Sequence, residues 1–270
     1  MVSDVSPFDI DRPLIMAHRG DSARFPENTM LSLEAAANIG VDVLETDVHL
    51  TRDDELVLFH DDDLMRTTGH GGKIREKTLE ELQRIDLGAK YTPDGETYPF
   101  RGQGLTVVTL REALERFSDL RFNIDIKDTL GHAPEVLREI IVETERERSV
   151  IVASFHPRQV QRFRALAPQV PTAASSSEVK RFVLALKLRL LRPVVRNTPY
   201  DAFQVPVRSG SIGIVNRRFI EAAHHRGIAV HVWTINDREE MTRLIDIGVD
   251  GIFTDRPALL REVMIDKGLL

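Results

Sequence analysis

Apolar runs of four to eight residues alternate with helical patterns along most of this chain, and that alternation predicts its architecture. Leu14 to Ala17 is strand-like, and Met30 to Ile39 reads as a helix rich in alanine and leucine. Val41 to Asp47 is the next strand, and Glu55 to Phe59 reads as the return arm of a small hairpin ending at His60. From Asp61 to Thr106 the pattern weakens, and only Thr78 to Ile85 is helical there, behind a Thr78/Glu81 capping-box pair. Beyond it the sequence predicts a helix over Leu110–Phe117, strand Arg121–Lys127, helix Pro134–Glu147, strand Val150–Ala153 and helix Pro157–Leu166. Strand Val170–Ala174, a helical stretch Glu178–Leu191, strand Ala202–Val205 and helix Asn216–Arg226 come next. Strand Ile228–Ile235, helix Arg238–Ile247, strand Gly251–Thr254 and a last helix from Pro257 complete the chain.

Eight strand-type runs, each followed by a helix, are the pattern of a (β/α)8 TIM barrel; a doubly wound open sheet is the alternative. The polar residues favour the barrel. His18, Glu45 and Asp47, Asp125 and Lys127, Ser154, Gln204, Trp233 and Asp255 each close an apolar run. A barrel gathers strand ends from all round the sheet, whereas an open sheet would concentrate them near one switch point. The chain is expected to be one domain, with Asp61 to Thr106 an excursion from the main repeat and not a second domain.

Composition narrows the class. With 270 residues and 42% hydrophobic content, the chain can bury a large core. It has no cysteine, which excludes disulfides and thiolate metal sites and favours a reducing, cytoplasmic setting. The first thirteen residues lack the charged-then-apolar pattern of a signal peptide, and no apolar run approaches the roughly 18 residues of a membrane span. A net charge of −6 gives nucleic-acid binding no electrostatic support.

Candidate chemistry lies at the strand ends. Glu45 and Asp47 share one strand face, and two like charges there ionise together only with a cation between them. All-oxygen ligation suits Ca2+ or Mg2+, and Asp125 on the next strand could provide a third carboxylate; a solvated strand edge is the plainer reading. In Arg121–Lys127 the apolar and polar residues alternate, so Asn123, Asp125 and Lys127 face inward, either as a structural ion pair or as part of a site. His18 and His60, two of nine histidines, close strands beside this cluster and are placed to give and take protons near neutral pH. Arg19 and Lys127 add positive charge for a phosphate. His231 shares a strand face with Trp233 and is a lesser candidate for the barrel interior. No Gly-rich phosphate loop and no Gly-x-Ser-x-Gly elbow occurs, which argues against nucleotide chemistry and an α/β serine hydrolase.

These words together resemble the glycerophosphodiester phosphodiesterase family: His18-Arg19-Gly20, Pro26-Glu27-Asn28-Thr29, Glu45-Thr46-Asp47, His60-Asp61, Thr67-Thr68-Gly69, Asn123-Ile124-Asp125-Ile126-Lys127, Trp233-Thr234-Ile235-Asn236 and Gly251-Ile252-Phe253-Thr254-Asp255. The resemblance implies a TIM barrel with a small inserted subdomain after the second strand, at about 61–105, and hydrolysis of a small-molecule phosphodiester. It implies one divalent cation, Ca2+ or Mg2+ with Mn2+ as a further choice, on Glu45, Asp47 and Asp125. It gives His18 and His60 the acid and base roles, with Arg19 and Lys127 on the phosphate. The family's third-strand word is usually Glu-x-Lys; Asp125 retracts that carboxylate by about 1.5 Å.

Glycerophosphodiesters are the expected substrates, with lysophospholipids the alternative and a non-catalytic phosphate- or metal-binding barrel a remote third. The basic, apolar stretch 180–192 reads as a barrel helix with a large buried face, or as an interfacial helix touching anionic lipid or an acyl chain. On the second reading the protein is peripheral to a membrane. Phe182, Gln204 and Trp233 are the expected substrate-pocket residues. Nothing in the sequence sets an oligomeric state.

Overall fold

The computed structural model describes residue 8 and residues 10–195 and 198–270. The opening residues read above as lacking a signal-peptide pattern therefore lie for the most part outside the described residues. Strand β1 (Leu14–His18) leads into helix α1 (Met30–Ile39), and β2 (Val43–Leu50) into the short antiparallel arm β3 (Leu56–Leu58). Pairing of Val48 with Leu58 and Leu50 with Leu56 carries β2 three residues past its expected end. Short helices α2 (Met65–Thr68) and α3 (Leu79–Leu82) follow, then α4 (Leu110–Arg116). Next come β4 (Arg121–Ile126), α5 (Ala133–Glu143), β5 (Val150–Ala153), α6 (Pro157–Leu166), α7 (Ser176–Lys187) and α8 (Leu191–Val194). The remainder is β6 (Ala202–Pro206), hairpin arms β7 (Arg208–Ser209) and β8 (Ile212–Gly213), α9 (Arg217–His224), β9 (Ala229–Trp233), α10 (Arg238–Ile247), β10 (Gly251–Thr254) and α11 (Pro257–Asp266).

The parallel sheet runs β5–β4–β2–β1–β10–β9–β6. Its two ends meet through the stretch expected to be strand Val170–Ala174, which is reduced to isolated parallel bridges, Val152 with Thr172 and Ala173 with Ala202. The reason is local. Pro171 has no N–H to donate, and the N–H of Thr172 goes to the Asp201 carboxylate at 2.8 Å instead of a strand carbonyl. Three residues after Thr172, Ser175 already caps α7, its hydroxyl accepting from the Glu178 N–H. The result is a parallel β/α barrel with the open sheet excluded.

The expected helix Glu178–Leu191 is two helices, because Arg189 takes a left-handed φ of 59° and ends the first. Barrel packing follows strand alternation: Phe122, Ile124 and Ile126 point out into the main core against the helices, and Asn123 and Asp125 point in. Leu14, Met16, Val43, Ile151, Ala202 and Phe253 form a smaller cluster. Near it a Cβ built on Gly251 would come within 2.8 Å of Met16 Sδ, so the packing leaves no room there for a side chain. The 59–109 stretch has its own apolar cluster, including Phe59, Leu64, Ile74, Leu82 and Leu87. Among the described residues no helix is long and apolar enough to cross a membrane.

Candidate active site

Register brings the strand-end residues together. His18 of β1 lies across from Glu45 of β2, which lies across from Asn123 of β4; one step on, Asp47 pairs with Asp125. Gly20, at φ 87°, lets the turn after β1 fold tightly on α1, where a Cβ would sit 2.5 Å from the Ser32 backbone. That turn aims the backbone N–H of Arg19 at Glu45 Oε2 (3.0 Å) and its guanidinium at Glu27 (2.9 Å) and Asp47 (3.0 Å).

Both histidines are oriented by aspartates. His18 Nδ1 lies 2.6 Å from Asp255 at the end of β10, and His60 Nδ1 lies 2.6 Å from Asp61. Each ring thereby keeps Nε2 for the cavity, the tautomer a proton carrier needs. Asp255 is itself fixed by Ser22 (3.0 Å) and Asn236 (2.6 Å). Arg66 joins Asp61 to Glu27, reaching both Glu27 oxygens at 2.9 and 2.6 Å. Burial opposes charge on His18, but Glu45 and the hydrogen bond to Asp255 outweigh it, and its pKa is raised.

The carboxylates are buried and unequal. Burial and the neighbouring Asp47 push Glu45 up to about 7. Burial also acts against Asp47, yet Lys127 and Arg19 hold it down at about 2. Asp125 is raised by its burial and by Asp47, against the pull of Lys127. Lys127 Nζ lies between the two aspartates, 2.8 Å from Asp47 Oδ1 and 2.7 Å from Asp125 Oδ2. Among the described residues no three His, Cys, Asp or Glu side chains converge closely enough to hold a metal ion. The donor chemistry nonetheless fits one. Asp125 Oδ1 is buried without a hydrogen-bond partner, and Asp47 Oδ1 and Arg19 Nε sit at ion-pair distance without hydrogen-bond alignment. Hard oxygens in surplus over the cations that neutralise them suit Ca2+ or Mg2+.

These groups line one cavity of about 640 Å³, together with Gln204 and Trp233. Gln204 donates to Asn123 Oδ1, and Trp233 meets Phe155 edge to face. Phe182 is not in the pocket. It is fully buried on the other side of α7, stacked among Phe203 and Phe219, and the cavity wall on this helix is Val179, Val183 and Leu184 with Ser176, Lys180 and Lys187. Position in the helix decides this: Phe182 and Ala185 share the face that meets the barrel. His231 is in the interior but away from the cavity, fully buried, its ring nitrogens without partners among the described residues.

Two supporting residues escaped the sequence reading. His49 is buried, with Nδ1 3.3 Å from Asp128 and Nε2 3.2 Å from the His60 carbonyl, so it holds the strand end that carries His60. Asp128 also accepts the N–H of Leu50 (2.8 Å). Alternation along Val48–Leu50 put His49 on the opposite face from Val48 and was the available signal.

A parallel barrel whose strand ends join two aspartate-oriented histidines to a carboxylate and cation cluster defines a hydrolase of phosphate esters. The profile of the Glycerophosphoryl diester phosphodiesterase family matches residues 18–259. The chain is 33% identical over 255 residues to a glycerophosphodiester phosphodiesterase of Caldanaerobacter subterraneus, covering 92% of this chain and 96% of that one. Human lysophospholipase D GDPD1 is 25% identical over 273 residues, 92% and 85% of the two chains. The solved structure of an Oleispira antarctica phosphodiesterase in complex with the product sn-glycerol-3-phosphate superimposes with a TM-score of 0.74 at 27% identity, covering 94% and 97%. This chain belongs to the glycerophosphoryl diester phosphodiesterase family and is an enzyme of the phosphoric diester hydrolase class.

Proposed function

We propose that the enzyme hydrolyses glycerophosphodiesters to glycerol 3-phosphate and an alcohol, with His18 and His60 carrying the proton and one divalent cation on Glu45, Asp47 and Asp125. The observation behind it is the pair of histidines, each tied through Nδ1 to an aspartate, lining the same cavity as the carboxylate cluster. When bound, the cation would supply positive charge to a phosphoryl oxygen. Arg19 and Lys127 hold the phosphate and meet the charge that grows on its oxygens. His60 Nε2 takes the proton from the attacking water or, alternatively, from a hydroxyl of the substrate's glycerol; in the second case the alcohol leaves a cyclic phosphate, which water then opens to glycerol 3-phosphate. His18 Nε2 gives a proton to the leaving alcohol oxygen, a role supported by its raised pKa. The absence of cysteine supports a reducing, cytoplasmic setting.

The test is turnover of a chromogenic phosphodiester after chelation, followed by separate addition of Ca2+, Mg2+ or Mn2+. Activity that resists chelation removes the cation from the proposal. A second reading, hydrolysis of lysophospholipids to lysophosphatidic acid, draws support from the apolar cavity wall of Val179, Val183, Leu184, Ile214 and Trp233. Glycerophosphocholine and lysophosphatidylcholine compared at equal concentration below micelle formation separate the two. A strong preference for the lysolipid puts that reading first.

A further inference from the structure

We propose that the rim of the cavity built from α7, α8 and the β7–β8 hairpin docks on the surface of an anionic bilayer. This goes beyond the choice of phosphodiester and does not depend on it. The stretch 176–195 contains Lys180, Arg181, Lys187, Arg189 and Arg192 but a single acid, Glu178, in a chain of net charge −6. Glu178 is itself taken by Arg164 at 3.0 Å. Among the described residues Lys180, Lys187, Arg189 and Arg192 have no carboxylate within ion-pair reach, whereas Arg52, Arg84, Arg111 and Arg116 on other faces each have one.

Leucines stand among these free cations. Leu184, Leu188 and Leu190 are 59%, 58% and 45% exposed. Lys180, Leu184, Lys187 and Leu188 follow the spacing of one helix face. Phe155 and Ile212 add exposed apolar surface at the same cavity. Exposed leucine interleaved with unpaired lysine and arginine is the composition of a helix that lies in a lipid headgroup layer. A second copy of the chain fits poorly, because a two-fold contact would set these cations against themselves. Seated this way, the cavity faces the layer from which phosphodiesters leave the membrane.

The experiment is co-sedimentation of the whole protein with vesicles of phosphatidylcholine alone, or of phosphatidylcholine and phosphatidylglycerol in equal amounts. Sedimentation needs no turnover, so its failure is separable from failure of the proposed activity. Binding is expected to the anionic vesicles only and to fall as salt is raised. Leu188 and Arg192 lie outside the cavity lining, so Leu188→Ser with Arg192→Gln should leave glycerophosphocholine hydrolysis unchanged. The same pair should cut vesicle partitioning at least ~tenfold, of which the lost cation accounts for about fivefold. Equal partitioning to both vesicle types, or unchanged partitioning of the double variant, overturns the proposal. A stable dimer that Leu188→Ser dissociates also overturns it.

Discussion

His231 makes the stability of this barrel sensitive to acid in a way that can be isolated. The side chain is fully buried, neither nitrogen has a partner among the described residues, and register sets it beside Gly251 and Gln204. Burial holds its pKa down at about 4, against a small opposing pull from Asp250. A folded pKa below the unfolded one means that the unfolded chain takes up the proton first. The stabilising effect of the neutral ring is therefore complete above the ordinary value of about 6.5 and is lost as pH falls towards 4. Linkage between those two values costs about 2.5 kcal/mol on going from pH 7.5 to 4.5. Met is unbranched and adaptable enough to fill the site without titrating, so His231→Met should lose that part of the pH dependence. Urea unfolding of both proteins at the two pH values gives the comparison, and other groups cancel in the difference. If the two proteins lose the same stability over this range, His231 is not a buried neutral ring and the reasoning fails.

The remaining expectations concern the site. His18→Ala and His60→Ala should each lower turnover by about two to four orders of magnitude with the melting temperature unchanged; near-normal activity in either variant removes it from the proton transfer. Asp255→Asn takes away a partner that raises the His18 pKa against the effect of burial, so the alkaline limb of the rate profile should move to lower pH. An unmoved limb would detach that limb from His18. Arg66→Gln should reduce kcat with little change in KM, because Arg66 touches Glu27 and Asp61 and acts on His60 only through Asp61. Gly20→Ala should destabilise by more than ~1 kcal/mol, since the added Cβ meets backbone at 2.5 Å and the φ is left-handed. A melting temperature equal to wild type would show that the turn can adjust.

What the sequence made legible was set by local pattern. Helices α1, α6 and α10 and strands β5 and β10 fall at the expected residues: Thr29 and Asp237 cap α1 and α10, Gly40 and Gly248 end them, and Pro157 opens α6. The stretch Val170–Ala174 is apolar enough to read as a full strand, but Pro171 and a competing Asp201 carboxylate leave it two bridges. Phe182 failed for another reason. Apolar residues lie on both flanks of α7, and only packing on Phe203 and Phe219 decides which flank faces the barrel. The roles of Asp255 and His49 depend on contacts between residues far apart in the chain, 237 residues for His18 with Asp255 and 79 for His49 with Asp128. Spacing along the chain carries no trace of such a contact.

Lys127 is the residue whose position changes the chemistry most. Its ammonium joins Asp47 and Asp125 across β2 and β4, on the side of Asp47 that Arg19, 3.0 Å from the other carboxylate oxygen, does not reach. With Glu45 ionised, three carboxylates face two cations, Arg19 and Lys127, and the cluster is left one negative charge in excess. A phosphodiester, carrying one negative charge of its own, would be repelled by that cluster. Protonating Glu45, which burial and Asp47 push up to about 7, removes the repulsion but supplies no attraction. A divalent cation on the ionised carboxylates reverses the balance to one positive charge, which matches the substrate. On the proposed reading the Lys127 ammonium keeps Asp47 ionised for the cation. Affinity for the phosphodiester then depends on the cation being present, and Lys127 alone cannot replace it.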